Sequence, residues 1–594
     1  MKYVHRMPFG AQFEDGATRF RLWAPGARSV ELVIGASDSS HIHAMARDSE
    51  GWFKTTLSDA PAGTRYAYRI DDELNIPDPA SRSNPDGVHA ASEVVDPDAH
   101  SWRNGNWKGR PWEEAVVYEL HIGTFTREGT FAAALDKLDY LRGLGITAIE
   151  LMPVAAFAGA RGWGYDGVLP FAPQASYGSP DALKRFIDES HARGLMVLLD
   201  VVYNHFGPEG NYLHRYAPQF FNAHHQTPWG AALNFDGPHN RTVRDFFIEN
   251  ALYWIEEFRC DGLRLDAVHA IPDESSIHFV DELAMVLHER VGDSRHVHLV
   301  LENDRNEARR LTAGSAEVGR RVDAQWNDDV HHALHVLVTG EKGGYYSDYA
   351  EQPLKAFARG LAEGFVYQGE RSAFREGRPR GEPSTMLPPT AFVDFLQNHD
   401  QIGNRALGER IDRLANAAQL RTATACVLLA PSIPMLFMGE EFAASTPFQF
   451  FCDYEPELAA AVANGRNAEF ASFDSFASGR SLPDANASST FQACKLDWRE
   501  AEVAPGADCL AFYRTCLAAR HAYVMPLLRE IERGGAHRVI GSDVIEITWP
   551  LRNAKRRLRM VATFGVTTVD DIVAVQGRVL FRDGATFALS LDET

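Results

Sequence analysis

The chain has 594 residues, 45% of them hydrophobic and 23% charged, which is enough for about three structural units or one large barrel with additions. Its 35 Phe, 18 Tyr and 11 Trp supply a large core and leave rings to line a sugar-binding groove. The net charge of −21 and the lack of a long Lys/Arg block argue against a nucleic-acid partner.

The cysteine pattern and the N-terminal residues indicate a cytoplasmic protein without a membrane segment. The six cysteines form no C-x-x-C pair, which leaves free buried thiols in a reducing compartment as the simplest interpretation. The start, MKYVHRMPFG, lacks the apolar core of a secretory signal. The most apolar stretch, residues 423–439, contains Pro431 and Pro434, so it predicts a helix end and a buried strand.

Residues 1–100 predict an N-terminal β-sandwich of the immunoglobulin-like, glucan-module type. The runs TRFRLWAP, SVELVIG, GWFKTTL and TRYAYRID are short and alternating, and Gly, Pro, Asp and Ser separate them. The Pro-rich stretch 76–87 predicts a link between this sandwich and the part of the chain that follows.

Residues 101–525 predict a catalytic α/β domain. Near-continuous apolar strands alternate there with amphipathic helices such as FAAALDKLDYLRGLG (131–145), which indicates a parallel sheet covered by helices. The predicted strands are VVYELHIG, TAIELMPV, LMVLLDVVYNH, CDGLRLDAV, HVHLVLEND, VDAQWND, AFVDFLQNHD and SIPMLFMGEE. Eight such units predict a (β/α)₈ TIM barrel with inserted loops.

Residues 526–594 are again typical of β-structure. The segments HRVIGSDVIEITWPL, RLRMVATF, DIVAVQG and FALSL predict a C-terminal β-sandwich.

Polar side chains follow four of the predicted barrel strands. Active sites of such barrels lie at the carboxyl ends of the strands, so we expect these side chains to share one mouth. They are Asp200, Asn204 and His205 after the third strand, Arg264, Asp266 and His269 at the fourth, Glu302 after the fifth, and Asn398, His399 and Asp400 after the seventh.

Three of these residues, Asp266, Glu302 and Asp400, are candidate catalytic carboxyls. Cleavage between sugars needs one protonated carboxyl and one ionised carboxyl. Arg264 lies two residues before Asp266 on the same strand face, where it would hold that carboxyl ionised. Each residue alone also fits a loop-anchoring ion pair, a structural imidazole or a helix cap. Four sets at four strand ends favour an active site.

Two tryptophans in loops after strands are candidates for the sugar groove. Trp229 stands in TPWG and Trp326 in QWND, and aromatic rings suit the faces of sugars. Packing in the core is the alternative for either ring. Asp328 and Asp329, which follow QWN, equally fit helix-capping carboxylates.

The four segments DVVYNH, GLRLDAVH, LVLEND and FLQNHD, in this order, resemble the four motif regions of the α-amylase superfamily, glycoside hydrolase family thirteen. The resemblance implies that Asp266 is the nucleophile, Glu302 the general acid/base and Asp400 the transition-state stabiliser. It also implies that the subsite where cleavage occurs is formed by Tyr165 of GWGYDG, Arg264, His205 and His399.

A narrower resemblance concerns the kind of glucan. The N-terminal part looks like the β-sandwich that precedes the barrel in branching enzymes and isoamylases. GWGYDGV, YNHFGPEGNYL, TPWGAALNFDGP, FLQNHDQIGNR and KLDW resemble the maltooligosyltrehalose trehalohydrolase family. That resemblance implies a retaining hydrolase that acts on maltooligosyltrehalose or a related α-glucan without a cofactor, and releases trehalose.

Other members of the superfamily remain alternatives. A glucan branching enzyme would share the same three carboxyls, as would a debranching hydrolase, and a catalytically inactive glucan-binding protein would keep only the barrel. Amylases with a calcium site take ligands from a sizeable insertion after the third strand. The loop 206–238 is short and has no acidic cluster, so we predict no required metal.

Overall fold

The N-terminal region forms a β-sandwich in the computed structural model, which describes residues 3–35, 41–312, 322–470, 482–553, 555–569 and 577–593. Its two sheets have the strand orders β1-β2-β6-β5 and β4-β3-β7-β8, and β9 pairs with β7. The strands are β1 Gly10–Glu14, β2 Ala17–Trp23, β3 Val30–Ile34, β4 His41–Ala44, β5 Ala46–Arg47, β6 Trp52–Leu57, β7 Arg65–Ile70, β8 Leu74–Ile76 and β9 Ser92–Glu93.

The middle of the chain forms a closed barrel of eight parallel strands, so the prediction of a (β/α)₈ barrel is confirmed. The barrel order is β10-β11-β14-β17-β18-β19-β22-β23. The strands of this region are β10 Val117–Leu120, β11 Ala148–Leu151, β12 Ala155–Ala156, β13 Leu169–Pro173, β14 Met196–Val201, β15 Phe221–Thr227, β16 Gly230–Leu233, β17 Gly262–Leu265, β18 His298–Leu301, β19 Ala324–Trp326, β20 Arg371–Ser372, β21 Arg378–Pro379, β22 Phe392–Phe395 and β23 Ile433–Phe437.

Helices cover the outer face of the barrel strands, and side chains of the inner faces pack together inside the barrel. Both faces are therefore buried, which explains the continuous apolar runs of the strands. The helices are α1 Ile122–Phe125, α2 Phe131–Ala134, α3 Leu138–Leu144, α4 Pro180–Ala192, α5 Leu213–Tyr216, α6 Asn240–Leu252, α7 Phe279–Val291, α8 Asp328–Thr339, α9 Pro353–Glu363, α10 His399–Gly403, α11 Ala417–Leu429, α12 Pro456–Phe470, α13 Ser488–Ala493 and α14 Gly506–Ala519. The single helix predicted over 131–145 is divided, because a 3₁₀ turn, Leu135–Lys137, separates α2 from α3.

The C-terminal region is a β-domain whose described strands form one antiparallel sheet with the order β24-β25-β26-β28-β27. The strands are β24 Ala536–Ile540, β25 Val544–Pro550, β26 Arg556–Thr563, β27 Gly577–Asp583 and β28 Phe587–Glu593. The sheet packs against α9 and α11 of the barrel. Apart from Gly577, the predicted segment DIVAVQG lies outside the described residues. The domain boundaries at 100 and 525 stay predictions.

A buried ion cluster fixes the N-terminal sandwich to the barrel. Glu257, at the end of a π-helical turn that continues α6, accepts hydrogen bonds from Arg82 Nη1 at 2.7 Å and from Lys184 Nζ at 2.9 Å. Their side chains are at most 3% exposed. Breaking a buried ion pair leaves an uncompensated charge, so this cluster strongly favours one placement of the sandwich against the barrel wall.

Candidate active site

Arg264 joins three carboxylates that come from three neighbouring strands. Its Nη1 donates to Asp200 Oδ2 and to Asp266 Oδ1, both at 2.8 Å, and its Nη2 donates to Glu302 Oε2 at 2.8 Å. The arginine is 1% exposed, because the alternation of β17 directs it into the barrel. The predicted pairing of Arg264 with Asp266 is thus present, and the same guanidinium also binds Glu302.

Trp326 lies beneath this guanidinium and does not line the sugar groove. The Arg264 Cζ lies 4.1 Å from the centroid of the indole ring, at cation–π distance. Trp326 is only 2% exposed, so it offers no face to a sugar. Its assignment as a substrate-binding residue is therefore wrong. The residue type suited a groove, but β19 directs the ring into the barrel core.

Asp266 is held as an anion. Asn204 Nδ2 donates to its Oδ2 at 2.7 Å and to its backbone oxygen at 2.9 Å. Burial opposes ionisation, but Arg264 and Asn204 outweigh it and hold the pKa of Asp266 below its ordinary value. The carboxylate is ionised at neutral pH, as a nucleophile must be.

Glu302, in contrast to Asp266, favours the protonated form. Burial raises its pKa well above the ordinary value, and the negative charges of Asp266 and Asp400 raise it further against the effect of Arg264. The backbone N–H of Ala267 donates to Glu302 Oε2 at 2.9 Å. Ala267 adopts a left-handed conformation, with φ 37°, which turns the chain directly after Asp266. Because Arg264 and Ala267 both bind Oε2, Oε1 is the oxygen placed to carry a proton.

Asp400 is presented by the first turn of α10. Asn398 caps this helix: its Oδ1 accepts from the backbone N–H of Asp400 at 2.9 Å and of Gln401 at 3.3 Å. Gln401 Oε1 accepts from the N–H of Asn398 and completes a capping box. Asn398 is 1% exposed and its Oδ1 is used by this cap, so its assignment to substrate binding stays a prediction. It orients the turn that carries Asp400.

Tyr165 and His399 stack on each other beside the carboxylate cluster. Their ring centroids lie 5.0 Å apart, and the hydroxyl of Tyr165 donates to Asp200 Oδ2 at 2.6 Å. The backbone N–H of His399 donates to Glu119 Oε2 at 3.1 Å, and its ring nitrogen Nδ1 also contacts that carboxylate. Burial opposes the imidazolium, but Glu119 raises the pKa of His399 overall.

Glu119 and Glu150, which were not among the predicted site residues, lie inside the barrel on β10 and β11. Glu119 orients His399, and burial together with the charge of Glu119 raises the pKa of Glu150 well above its ordinary value. The available signal was a lone carboxylate in each of the apolar runs VVYEL and TAIEL.

The remaining predicted residues lie around the same mouth. His205 stacks on Trp229, with 4.2 Å between ring centroids and 6° between ring planes. Trp229 is 50% exposed at the turn between β15 and β16, so it has a ring face open to solvent. Burial lowers the pKa of His205. His269 is partly exposed, and its Nδ1 lies 3.7 Å from Asp304 Oδ1.

The loop with the motif GWGYDG packs against the helix that begins the motif HDQIGN. A Cβ atom at Gly403 would lie 2.0 Å from Cζ2 of Trp163, so the indole ring requires a glycine there. Trp163 Nε1 donates to the backbone oxygen of Gln449 at 3.0 Å, which holds the ring in place. The loop that carries Tyr165 and the helix that carries Asp400 are therefore packed as one unit.

Within the described ranges, no group of three or more His, Cys, Asp or Glu side chains is arranged to hold a metal ion. In the same part of the chain, no helix is both long and apolar enough to cross a membrane.

The barrel and the carboxylates at its mouth define a glycoside hydrolase of the α-amylase class. Residues 77–249 match the family described as alpha amylase, catalytic domain, and residues 8–97 match carbohydrate-binding module 48, the isoamylase N-terminal domain. The crystal structure of a pullulanase from Paenibacillus barengoltzii has the same fold, with a TM-score of 0.72 at 20% identity, covering 100% of this chain and 96% of that chain.

The chain belongs to the malto-oligosyltrehalose trehalohydrolase family. It is 46% identical over 509 residues to the member from Mycobacterium tuberculosis, which covers 84% of this chain and 86% of the relative. It is 42% identical over 527 residues to the member from Saccharolobus solfataricus, covering 88% and 89%. A solved alpha amylase structure from Salmonella typhimurium matches with a TM-score of 0.93 at 43% identity, covering 99% of this chain and 100% of that chain.

The packing of Trp163 on Gly403 predicts the effect of adding one methyl group. Gly403→Ala forces the indole ring away and displaces the Tyr165 loop relative to Asp400, so we expect the free energy of unfolding to fall by about 1–3 kcal/mol and kcat/KM to fall as well. Thermal unfolding and steady-state kinetics measure the two effects. Gly465→Ala is the control, since among the described residues no atom outside its own stretch of helix lies within 4 Å of its Cβ position. Equal behaviour of the two variants would contradict the prediction.

Proposed function

We propose that this chain hydrolyses the α-1,4-glucosidic bond next to the terminal trehalose unit of maltooligosyltrehalose and releases trehalose. The hydrolytic chemistry is supported above all by one observation, the single guanidinium of Arg264 between the ionised Asp266 and the high-pKa Glu302. The choice of substrate rests on the relatives, whose name is that of this activity.

The proposed mechanism is a retaining double displacement. Asp266 attacks the anomeric carbon of the glucosyl residue while Glu302 gives its proton to the departing oxygen of trehalose. A covalent glycosyl-enzyme forms, and Glu302, now a base, takes a proton from the water that cleaves it. The hydroxyl of that water stays on the glucan. Asp400, a carboxylate at the same mouth, stabilises the positive charge of the oxocarbenium-like transition state.

We assign the sugar contacts to the side chains around the mouth. Tyr165 is the ring under the reacting sugar, and Arg264 and His399 lie behind it. His205 and the open face of Trp229 form one wall, and His269 lies at the rim.

We also propose that the protein is located in the cytoplasm. All six cysteines are free, and five of them are buried, which is the pattern expected in a reducing compartment.

Analysis of the products tests the proposed substrate. On maltooligosyltrehalose we expect free trehalose and a shortened maltooligosaccharide, whereas maltooligosaccharide of matched length should be cleaved far more slowly. Incubation with amylose is the comparison for the branching alternative. New α-1,6 branches without release of trehalose from the capped chain would contradict the proposal.

The role of Glu302 predicts a dependence on the leaving group. Glu302→Gln should lower kcat on maltooligosyltrehalose by about 10²- to 10⁴-fold, because trehalose then leaves without a proton. An α-maltosyl fluoride needs no proton for departure, so formation of the glycosyl-enzyme from it should be much less affected. Asp266→Asn should abolish both reactions.

Pre-steady-state release of fluoride measures the first step alone. Glu289→Gln, an exposed position on α7, is the control and should behave like the wild type. If Glu302→Gln slowed both substrates equally, Glu302 would not be the general acid.

The two carboxyl groups also predict the pH profile of kcat/KM. Asp266 must be ionised, so activity falls as the pH drops through its pKa, which lies below the ordinary value of about 3.9. Glu302 must be protonated, so activity falls as the pH rises through its pKa, which lies well above the ordinary value of about 4.3. The alkaline limb should disappear in Glu302→Gln. An alkaline limb that persists unchanged in this variant would assign it to another group.

A further inference from the structure

The loop that carries Trp229 rests on the N-terminal β-sandwich. The backbone N–H of Gly26, just after β2, donates to the backbone oxygen of Tyr216 at 2.8 Å. The ring of Trp23, at the end of β2, packs against Phe220 with 5.5 Å between centroids. Trp23 and Gly26 of the sandwich therefore contact the segment 216–220, which leads directly into β15.

A second contact lies at the other end of the same segment. His89 Nδ1 forms a hydrogen bond of 2.7 Å with the hydroxyl of Tyr212. Val88 lies so close to Gly210 that a Cβ atom there would be 2.5 Å from Val88 Cγ2. The segment 209–220 is thus held at two points by residues that precede the barrel.

The path from Phe220 to Trp229 is short and hydrogen-bonded. The backbone N–H of Asn234 donates to the oxygen of Phe220 at 2.9 Å, and Asn234 Nδ2 donates to the oxygen of Gln219 at 2.9 Å. These bonds close the base of the β15–β16 hairpin, whose turn carries Trp229 over His205. A displacement of Phe220 therefore moves the base of the hairpin.

We infer that the N-terminal β-sandwich is a positioning element for substrate binding, in which Trp23 and Gly26 hold the base of the β15–β16 hairpin and so keep Trp229 stacked on His205. This inference rests on the proposed function, in which Trp229 binds the glucan. Trp23 and Gly26 are positioning residues and touch no sugar.

The burial of the two sandwich tryptophans, Trp23 and Trp52, is consistent with a positioning role for the sandwich. Trp23 is 4% exposed and Trp52 is 7% exposed, so neither presents a ring face on which a glucan chain could stack. Both are used for packing: Trp52 against Phe9 and Arg21, and Trp23 against the barrel loop. The sandwich contributes to binding through the loop that it supports.

Gly26 provides a graded test of the contact. A Cβ atom there would lie 3.0 Å from the Tyr216 oxygen and 3.1 Å from Pro218 Cδ, so Gly26→Ala pushes the segment away by a few tenths of an ångström. Small misplacements of substrate-positioning groups are costly. The matched control is Gly143→Ala on α3, where no atom of the described part of the chain, apart from the neighbouring helix backbone, lies within 4 Å of the Cβ position.

The experiment is a double-mutant cycle between positions 26 and 229, with kcat and KM measured on maltooligosyltrehalose. We expect Gly26→Ala to lower kcat/KM by about threefold to tenfold, mainly through KM, and to have almost no further effect in the Trp229→Ala background. Gly143→Ala should change neither parameter in either background. Thermal unfolding of each variant shows that the fold is retained, and Trp23→Phe replaces Gly26→Ala if that variant fails to fold.

Two outcomes would overturn the inference. One is unchanged kinetics in both Gly26→Ala and Trp23→Phe. The other is an effect that multiplies fully with that of Trp229→Ala, because the sandwich would then act independently of this ring. If the wild type releases no trehalose, the proposed function fails, but the cycle can be measured on whichever α-glucan is cleaved.

Discussion

The site depends on the hydrogen bonds that the buried guanidinium of Arg264 donates to three carboxyl groups. One cation faces Asp200, Asp266 and Glu302, and it cannot neutralise all three, so the cluster favours retention of a proton. Asn204 stabilises the anion of Asp266, whereas burial raises the pKa of Asp200 to about 6 and that of Glu302 well above its ordinary value. Burial, the shared guanidinium and Asn204 together give neighbouring carboxyls opposite preferences for a proton, as an acid and a nucleophile require.

This arrangement is possible only because the barrel is closed and parallel. The register places Asp200 beside Arg264 on adjacent strands, and Glu302 directly follows the next strand. Moving β17 by one residue would direct Arg264 out of the barrel and its leucine neighbours into it. The indole of Trp326 fills the space below the guanidinium, so the site is built on the core of the barrel and not on its loops alone.

The sequence allowed the barrel and its mouth to be predicted because both depend on local patterns. Apolar runs mark strands buried on two faces, and the polar residues that follow them must meet at one end. The structural roles of Trp326 and Asn398 could not be predicted from such patterns. The residue type does not show whether an indole ring points into the barrel or whether an amide caps the next helix. The contacts of Glu119 with His399 and of Gly26 with Tyr216 join residues far apart in the chain, so no local sequence pattern predicts these contacts.

The two attachments of the N-terminal sandwich meet on one helix, α6. Phe246 in its middle packs against Phe9 of the sandwich and against Phe220 of the loop, both with 5.2 Å between ring centroids. The π-helical turn that continues α6 ends at Glu257, which binds Arg82. The β15–β16 hairpin leads into the start of the same helix. Because the ion cluster and the aromatic contacts act on one helix, the sandwich can hold the hairpin, and with it the proposed wall of the sugar groove, without contacting the mouth of the barrel.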